Sequence, residues 1–355
     1  MKKYIGLEEM SNVNCSTVLH VIRNCGPVSR RQISDITGLS WGGMTKIVNK
    51  LFDHGYIVEE KEEKASGAGR TPGRIRIDET KNVVIGLDLN REGFEAYVMN
   101  LCGNVLKTYS QDISYENKEE LLKKILAFTK KAAEEYKEKK IRAIGIAMQG
   151  EVDGEKGISV SFPHCPDWEN VPIKEIMERE FKVDVFVEHD PNCMLYSKLM
   201  DEESENMLLF RLDRSIGMAA SVNGEILRGN GLLEVAHCII VPEGKSCRCG
   251  NKGCIEAYLA PCLEKGKANQ QALQELLRPL AVFLYNMARL FRSETVLLTG
   301  KLIRYRTAFE KELLGYFYQY CRKNEIQVKI VEEAGLAVGG AAWIAVQGAI
   351  DGIRL

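Results

Sequence analysis

His237, Cys247, Cys249 and Cys254 place one imidazole and three thiols in a single short stretch of chain. The cysteines follow a C-x-C-x4-C spacing with Gly250 and Gly253 between them. Glycine lets a backbone fold back tightly, so the three sulfurs can converge on one point. A Cys3His set without an open position is the structural type of zinc site, closed and tetrahedral. The expectation is therefore one Zn2+ per chain, held by these four residues in a loop spanning 237–254. Cys238 is a competing thiol, but adjacent residues rarely aim at one metal. The alternative is a cluster of buried free cysteines, for which two glycines in so short a loop are a poor design.

The eight other cysteines are scattered, and a total of 11 is odd, so no disulfide framework is expected. Hydrophobic content of 45% and charged content of 27% are those of an ordinary globular chain. At 355 residues, two or three domains are expected. A net charge of -1 says nothing about a polyanionic partner for the whole chain, so any nucleic-acid role must be local. The first ten residues lack a signal-peptide apolar run, and no stretch is long and apolar enough to span a bilayer. A cytoplasmic protein without membrane contact is expected.

The elements that carry a local role begin near residue 12. Val18, Leu19, Val21 and Ile22 form an apolar stripe that stops at Gly26-Pro27. Ser29 reads as an N-cap with Gln32 in the capping-box position. Ser40 caps a third helix, 41–54, with Met44, Ile47, Val48 and Leu51 on one face and Gly55 just beyond its end. Two short helices joined by a glycine turn are the helix-turn-helix signature. Alternating residues at 56–60 and 74–78, around a polar loop at 61–73, fit a wing. Residues 1–80 thus read as a winged helix-turn-helix for operator DNA.

The early part of a recognition helix enters the major groove, which places Trp41, Thr45 and Lys46 at DNA, with Lys50 one turn further. Gly42 and Gly43 allow close approach. Arg30 and Arg31 start the preceding helix, where phosphate contacts are expected. Arg70 could reach the minor groove from the wing. Glu59, Glu60, Glu62 and Glu63 offset much of this positive charge, so affinity from phosphate neutralisation should be modest.

From residue 81 the texture changes to alternating strands and helices. Core strands are expected at 83–89, 143–147, 185–188, 206–211, 216–222 and 295–300, and a charged helix at 117–137. This order describes an α/β domain with two similar halves over 81–355.

On these motifs the chain resembles the ROK family, named for repressor, open reading frame and kinase. His237 with the segment Cys247-Arg248-Cys249-Gly250-Asn251-Lys252-Gly253-Cys254-Ile255-Glu256 resembles its zinc signature. Leu233-Glu234-Val235-Ala236-His237 resembles its Gly-Glu-x-Gly-His segment, and Glu188-His189-Asp190-Pro191-Asn192 its Glu-Asn-Asp-x-Asn segment. The loop 162–172 resembles its sugar-binding loop. The resemblance implies an actin-like, ribonuclease-H-like pair of lobes, and the winged helix implies the repressor branch. It further implies that Asp190, Glu234, His237 and Glu256 contact sugar hydroxyls. His189 stands where the family has asparagine, and His164 is a further expected contact.

In kinases of the family the residue matching Asp190 is the base for the sugar hydroxyl. The nucleotide side departs from the kinase pattern. Asn90 replaces a glycine, and Glu92 sits where a hydroxyl is wanted. Asp213-Arg214-Ser215-Ile216-Gly217-Met218-Ala219 replaces a glycine-rich loop, so that charge from Glu92 and bulk from Met218 are expected in the phosphate space. Gly300-Lys301 replaces a Gly-Gly pair. The resulting expectation is a sugar- or sugar-phosphate-responsive repressor, homodimeric or homotetrameric, without phosphotransfer. The runner-up is an active sugar kinase with a regulatory DNA-binding module and Asp190 as its catalytic base.

Overall fold

The computed structural model describes residues 7–60, 73–90, 92–163, 165–228, 233–264, 267–322 and 325–355. The chain opens with α1 (Leu7–Cys25), α2 (Arg30–Thr37) and α3 (Trp41–Asp53). The local signals act as their chemistry requires. Ser29 Oγ accepts from Gln32 N, and Gln32 Oε1 accepts from Ser29 N at 2.9 Å, closing a capping box. Ser40 Oγ accepts from Gly43 N at the start of α3. An antiparallel ribbon, β1 (Ile57–Glu60) with β2 (Arg74–Ile77), follows.

The first lobe is built on β3 (Asn82–Leu89), β4 (Gly93–Asn100), β5 (Val105–Asp112), α4 (Lys118–Glu134) and β6 (Lys140–Met148). A small sheet of β7 (Val152–Asp153), β8 (Ile158–Ser161) and β9 (Glu169–Val171) leads to α5 (Ile173–Phe181) and β10 (Asp184–His189). The main sheet has the order β10-β6-β3-β4-β5. β3 is buried along nearly its whole length, as a central strand covered on both faces must be.

α6 (Asp190–Asp201) then leads into the second lobe: β11 (Met207–Leu212), β12 (Ile216–Val222), β13 (Glu225–Ile226), α7 (Ile255–Leu259), β14 (Leu263–Glu264), β15 (Lys267–Ala268), α8 (Gln270–Leu290), β16 (Thr295–Thr299), α9 (Glu310–Phe317) and β17 (Gln327–Ile330). Its sheet has the order β13-β12-β11-β16-β17. In both lobes three antiparallel strands are followed by two parallel ones on the other side of the first strand. The two halves expected from the sequence therefore share one topology. α6 starts at Asp190, with Pro191 suited to the first helical turn.

The last helix, α10 (Leu336–Asp351), returns to pack on the first-lobe sheet and crosses α6 between the lobes. Cys193, Met194 and Leu195 of α6 share a core with Leu336, Ala337 and Ala341 of α10 and with Leu209 and Leu297 of the second sheet. The crossing depends on Gly340, where a Cβ would stand 1.7 Å from the carbonyl oxygen of Cys193. Backbone cannot yield there as a side chain can. Gly340→Ala is expected to destabilise the protein by about 1–3 kcal/mol or more, read as a lowered thermal midpoint. An unchanged midpoint would show that the helices do not approach so closely.

The three N-terminal helices and the β1–β2 ribbon are not a separate body. Leu19, Ile22, Met44, Leu51 and Ile75 share one buried core with Val84, Ala143, Ala345, Val346 and Ile350. His20 Nε2 pairs with Asp351 Oδ1 at 2.7 Å. Arg142 donates from Nε to Asn82 Oδ1 at 2.7 Å, and Asn82 Nδ2 donates to the Gly55 carbonyl at 2.7 Å.

Candidate functional site

The four expected metal ligands converge. One ligand atom from each of His237, Cys247, Cys249 and Cys254 lies within 4.8 Å of all the others. Cys247 Sγ is 3.5 Å from His237 Nδ1, and Cys249 Sγ is 3.7 Å from Cys254 Sγ. A tetrahedron with bonds of about 2.0–2.3 Å has edges of roughly 3.5 Å, so the donor set fits a closed metal site. The loop is shaped by its backbone. Cys247 N donates to the Asn251 carbonyl at 2.8 Å, and Ile240 N to the Gly253 carbonyl at 2.9 Å. Gly253 has φ of +79°, and a Cβ there would meet the Val241 carbonyl at 1.8 Å. Cys238 lies outside the cluster. No disulfide forms; all 11 cysteines are free.

Cys254 is also the N-cap residue of α7, which carries Glu256 in its first turn. Glu256 is buried, and Arg248 forks onto it from Nε at 2.6 Å and Nη2 at 3.2 Å. Ser215 Oγ donates to the same carboxylate. Arg248 and Ser215 line the neighbouring cleft, and Glu256, expected to contact ligand, stands one layer behind them. His237 likewise belongs to the metal cluster and not to the cleft wall.

That cleft has a volume of about 480 Å³ and includes His189, Asp190 and Glu234 in its lining. The structure thus brings three of the expected ligand residues together; His164 lies outside the described residues. Asp190 is buried at the N-terminus of α6 and is held by Arg211 Nη1 at 2.6 Å, with His189 Nε2 at 3.3 Å from its other oxygen. Burial outweighs the nearby carboxylates and pushes the His189 imidazole below its ordinary pKa. Glu188 supports the turn by accepting from His189 N, Asn192 Nδ2 and Arg228 Nε at 2.9, 2.9 and 2.7 Å.

Arg211 was not among the expected site residues. Besides Asp190 it pairs with Asp213 at 3.3 Å and Glu333 at 2.7 Å. Burial opposes its charge, but these carboxylates prevail and hold the guanidinium protonated. Asp88 lies close by. Its Oδ1 is shut off from solvent without a hydrogen-bond partner, while Oδ2 accepts from Asn90 at 3.1 Å. Burial first, and the Asp190 charge second, push its pKa up to about 7.

An acid with a raised folded pKa contributes stability that is present below its unfolded pKa, near 4, and lost as pH rises to about 7. Asp88→Asn is expected to remove this slope and to stabilise the protein at pH 8 by on the order of 2–4 kcal/mol. Denaturant titrations of both proteins from pH 4 to pH 8 check this; parallel profiles would refute it.

The nucleotide-side expectations are met in part and corrected in part. Asn90 Oδ1 caps its own turn, accepting from Glu92 N at 2.9 Å and Gly93 N at 3.1 Å. Glu92 reaches across the lobes to Lys301. Met218, expected to fill the phosphate space, packs in the second-lobe core and also lines the carboxylate cleft. The space between the lobes is lined by Arg211, Arg214, Lys301 and Arg304.

On the N-terminal helices, Arg31, Trp41 and Lys46 lie on open surface. Arg30 is half-buried, stacked 5.8 Å over Phe52 and donating to Asn49 at 3.4 Å. Two expectations of exposure are corrected. Thr45 Oγ1 is buried without a partner, and Lys50 Nζ donates to Ser11 at 3.4 Å and to the Leu355 carbonyl at 3.3 Å. α3 lies against α1, which draws both side chains away from the open face. Arg70 and the loop 61–72 lie outside the described residues.

A winged helix fused to two actin-like lobes, with a carboxylate cleft beside a Cys3His cluster, defines the class. The ROK family profile matches residues 84–265, and the chain belongs to the ROK family. It is 27% identical over 279 residues to the xylose repressor of Caldicellulosiruptor bescii, covering 76% of this chain and 67% of that one. It is 30% identical over 259 residues to the DNA-binding transcriptional dual regulator NagC of Escherichia coli, covering 71% and 63%. The chain thus spans about two thirds of the length of these relatives. A solved ROK family transcriptional regulator, a homolog of the E. coli MLC protein, superposes with a TM-score of 0.81 at 22% identity, over 96% of this chain and 97% of that one. No helix among the described residues is long and apolar enough to cross a membrane.

Proposed function

We propose that this chain is a sugar-responsive, DNA-binding transcriptional repressor with one structural zinc ion and no phosphotransferase activity. The observation that carries this reading is Arg211. Its guanidinium engages Asp190, the residue a kinase would use as base, and ties it to Asp213 and Glu333. Phosphoryl transfer depends on positioning a nucleotide in a glycine-lined cradle. Here Asn90 closes one side of that cradle, and the Glu92–Lys301 pair spans it. Asp190, His189 and Glu234 remain available to hold hydroxyl groups. The names of the xylose repressor and NagC support the regulatory reading.

Zinc fits the donor set better than a hard cation, because thiolate and imidazole are its preferred ligands. It fixes His237 and, through Cys254, the start of α7. Operator DNA is read by a homodimer or homotetramer, with Trp41 and Lys46 towards the major groove and Arg31 on phosphate. Sugar in the cleft changes the angle between the lobes and so the spacing of paired modules, which must match half-sites about 34 Å apart.

The test combines operator binding with an ATP-coupled assay. Hexoses or pentoses are expected to shift the operator titration midpoint at least tenfold without consuming ATP. Arg31→Ala should weaken binding to all sequences and reduce the salt slope by about one. Sugar-dependent ATP turnover that vanishes in Asp190→Ala would favour the kinase instead.

A further inference from the structure

Arg211 gives each of its three guanidinium nitrogens to a different carboxylate. Nη1 faces Asp190 Oδ2 at 2.6 Å, Nε faces Glu333 Oε1 at 2.7 Å and Nη2 faces Asp213 Oδ2 at 3.3 Å. The side chain is only 16% exposed, so water screens these contacts little. Arg211 and Asp213 belong to the second lobe, at the end of β11 and on the turn after it. Asp190 is the first residue of α6. Glu333 stands just before α10, where its carbonyl accepts from Leu336 N at 3.1 Å. One guanidinium therefore clamps the starts of both helices that cross between the lobes.

The clamped carboxylates differ in what else they meet. Asp190 and Arg211 line the carboxylate cleft, whereas Glu333 opens on a neighbouring cavity beside Gly300 and Arg304. Asp88, Asp190, Asp213 and Glu333 all act on this one positive charge. A guanidinium in such demand divides its charge-assisted bonds among its partners. A ligand hydroxyl donating to Asp190 meets part of that residue's demand, and Arg211 is then held more by Glu333 and Asp213. The converse holds with equal magnitude, because coupling between two sites is reciprocal.

We infer that Arg211 is a positioning residue that couples the carboxylate cleft to α10, orienting Asp190 for a ligand hydroxyl and passing the occupancy of the cleft to Glu333. This deepens the proposed function and rests on its sugar reading. α10 carries the change onward, because its far end is bound to α1: Asp351 Oδ1 accepts from Ser16 Oγ at 3.3 Å and pairs with His20 Nε2 at 2.7 Å.

The experiment titrates the full chain calorimetrically with glucose, mannose, galactose and xylose. Hydrogen–deuterium exchange over residues 333–351 is then followed with and without the tightest binder of the four. In the unaltered protein, sugar is expected to change exchange at the start of α10. Glu333→Gln keeps the shape of the side chain and removes its charge, so that Arg211 falls more wholly to Asp190. It is expected to weaken sugar binding by about fivefold or more and to abolish the sugar-dependent change in α10. Arg211→Lys keeps the charge but not the three-way fork, and is expected to abolish the same change. Glu332→Gln, at the exposed neighbouring position, should match the unaltered protein in both measurements. A purely structural ion pair would lower the thermal midpoint of Glu333→Gln and leave affinity and exchange response as they were. Either of those two readouts unchanged in Glu333→Gln, or sugar binding by the unaltered protein without a change in α10, overturns the inference alone. If the unaltered protein binds none of the four sugars, the sugar reading fails and the inference falls with it.

Discussion

Cys249→Ser is expected to abolish stoichiometric metal binding, to lower the thermal midpoint and to weaken the ligand response. The cluster edges of 3.5 and 3.7 Å leave little adjustment to make when the ion binds. Structural zinc sites in small peptides carry apparent binding free energies of about 10–16 kcal/mol, all of it available to folding. In this chain the loop keeps its own backbone bonds, from Cys247 to Asn251 and from Ile240 to Gly253. Only part of that energy should therefore appear as lost stability, on the order of a few kcal/mol. The effect should spread to the cleft, because Arg248 lies between two ligands and reaches Glu256 at 2.6 Å. Elemental analysis of protein purified without chelator, with melting curves before and after chelation, measures both parts. Wild-type protein free of zinc would end the zinc assignment.

The second large effect is expected at Asp190. Asp190→Ala should lower sugar affinity roughly ten- to a hundred-fold, the loss of one charge-assisted hydrogen bond of about 1.5–3 kcal/mol. Sugar-free operator binding should remain intact. Orphaning a buried charge can cost about 3–5 kcal/mol, but Arg211 keeps Asp213 at 3.3 Å and Glu333 at 2.7 Å. The variant should therefore fold, which makes its binding data interpretable. Calorimetric titration alongside operator titration checks this. A variant that responds to sugar as the wild type does would remove Asp190 from the ligand site.

What was legible in the sequence was what neighbours within a few residues decide. Ser29 with Gln32, Ser40 with Gly43, and the thiols of the 247–254 loop interact over short chain distances, so type and spacing suffice. The core strands β3, β6, β10, β11, β12 and β16 were legible from their apolar runs. The corrections share a different cause. Lys50 meets Leu355, Thr45 turns towards the core, and Arg211 gathers carboxylates from positions 190, 213 and 333. No local pattern announces partners so far apart in the chain. Glu256 was assigned to the ligand because a carboxylate motif does not reveal a shield; Arg248 covers it only once the loop is folded. Lys301 entered the reading only as a lost glycine, and its positive charge acquires meaning from Glu92 across the lobes.

The core that joins Leu19 and Leu51 to Val346 and Ile350 has a further consequence. Because the N-terminal helices bury their apolar faces against α10 as well as against each other, they and the first lobe should melt as a single cooperative unit. Under the proposed function, the reader of DNA is then a rigid arm of that lobe, not a tethered head. On the same reading, a few-degree turn at the Gly340–Cys193 contact should carry through this shared core towards Trp41. Signal strength in such a device is set by stiffness: softening the joint between arm and lobe would mute the response to ligand while leaving both binding surfaces chemically unchanged.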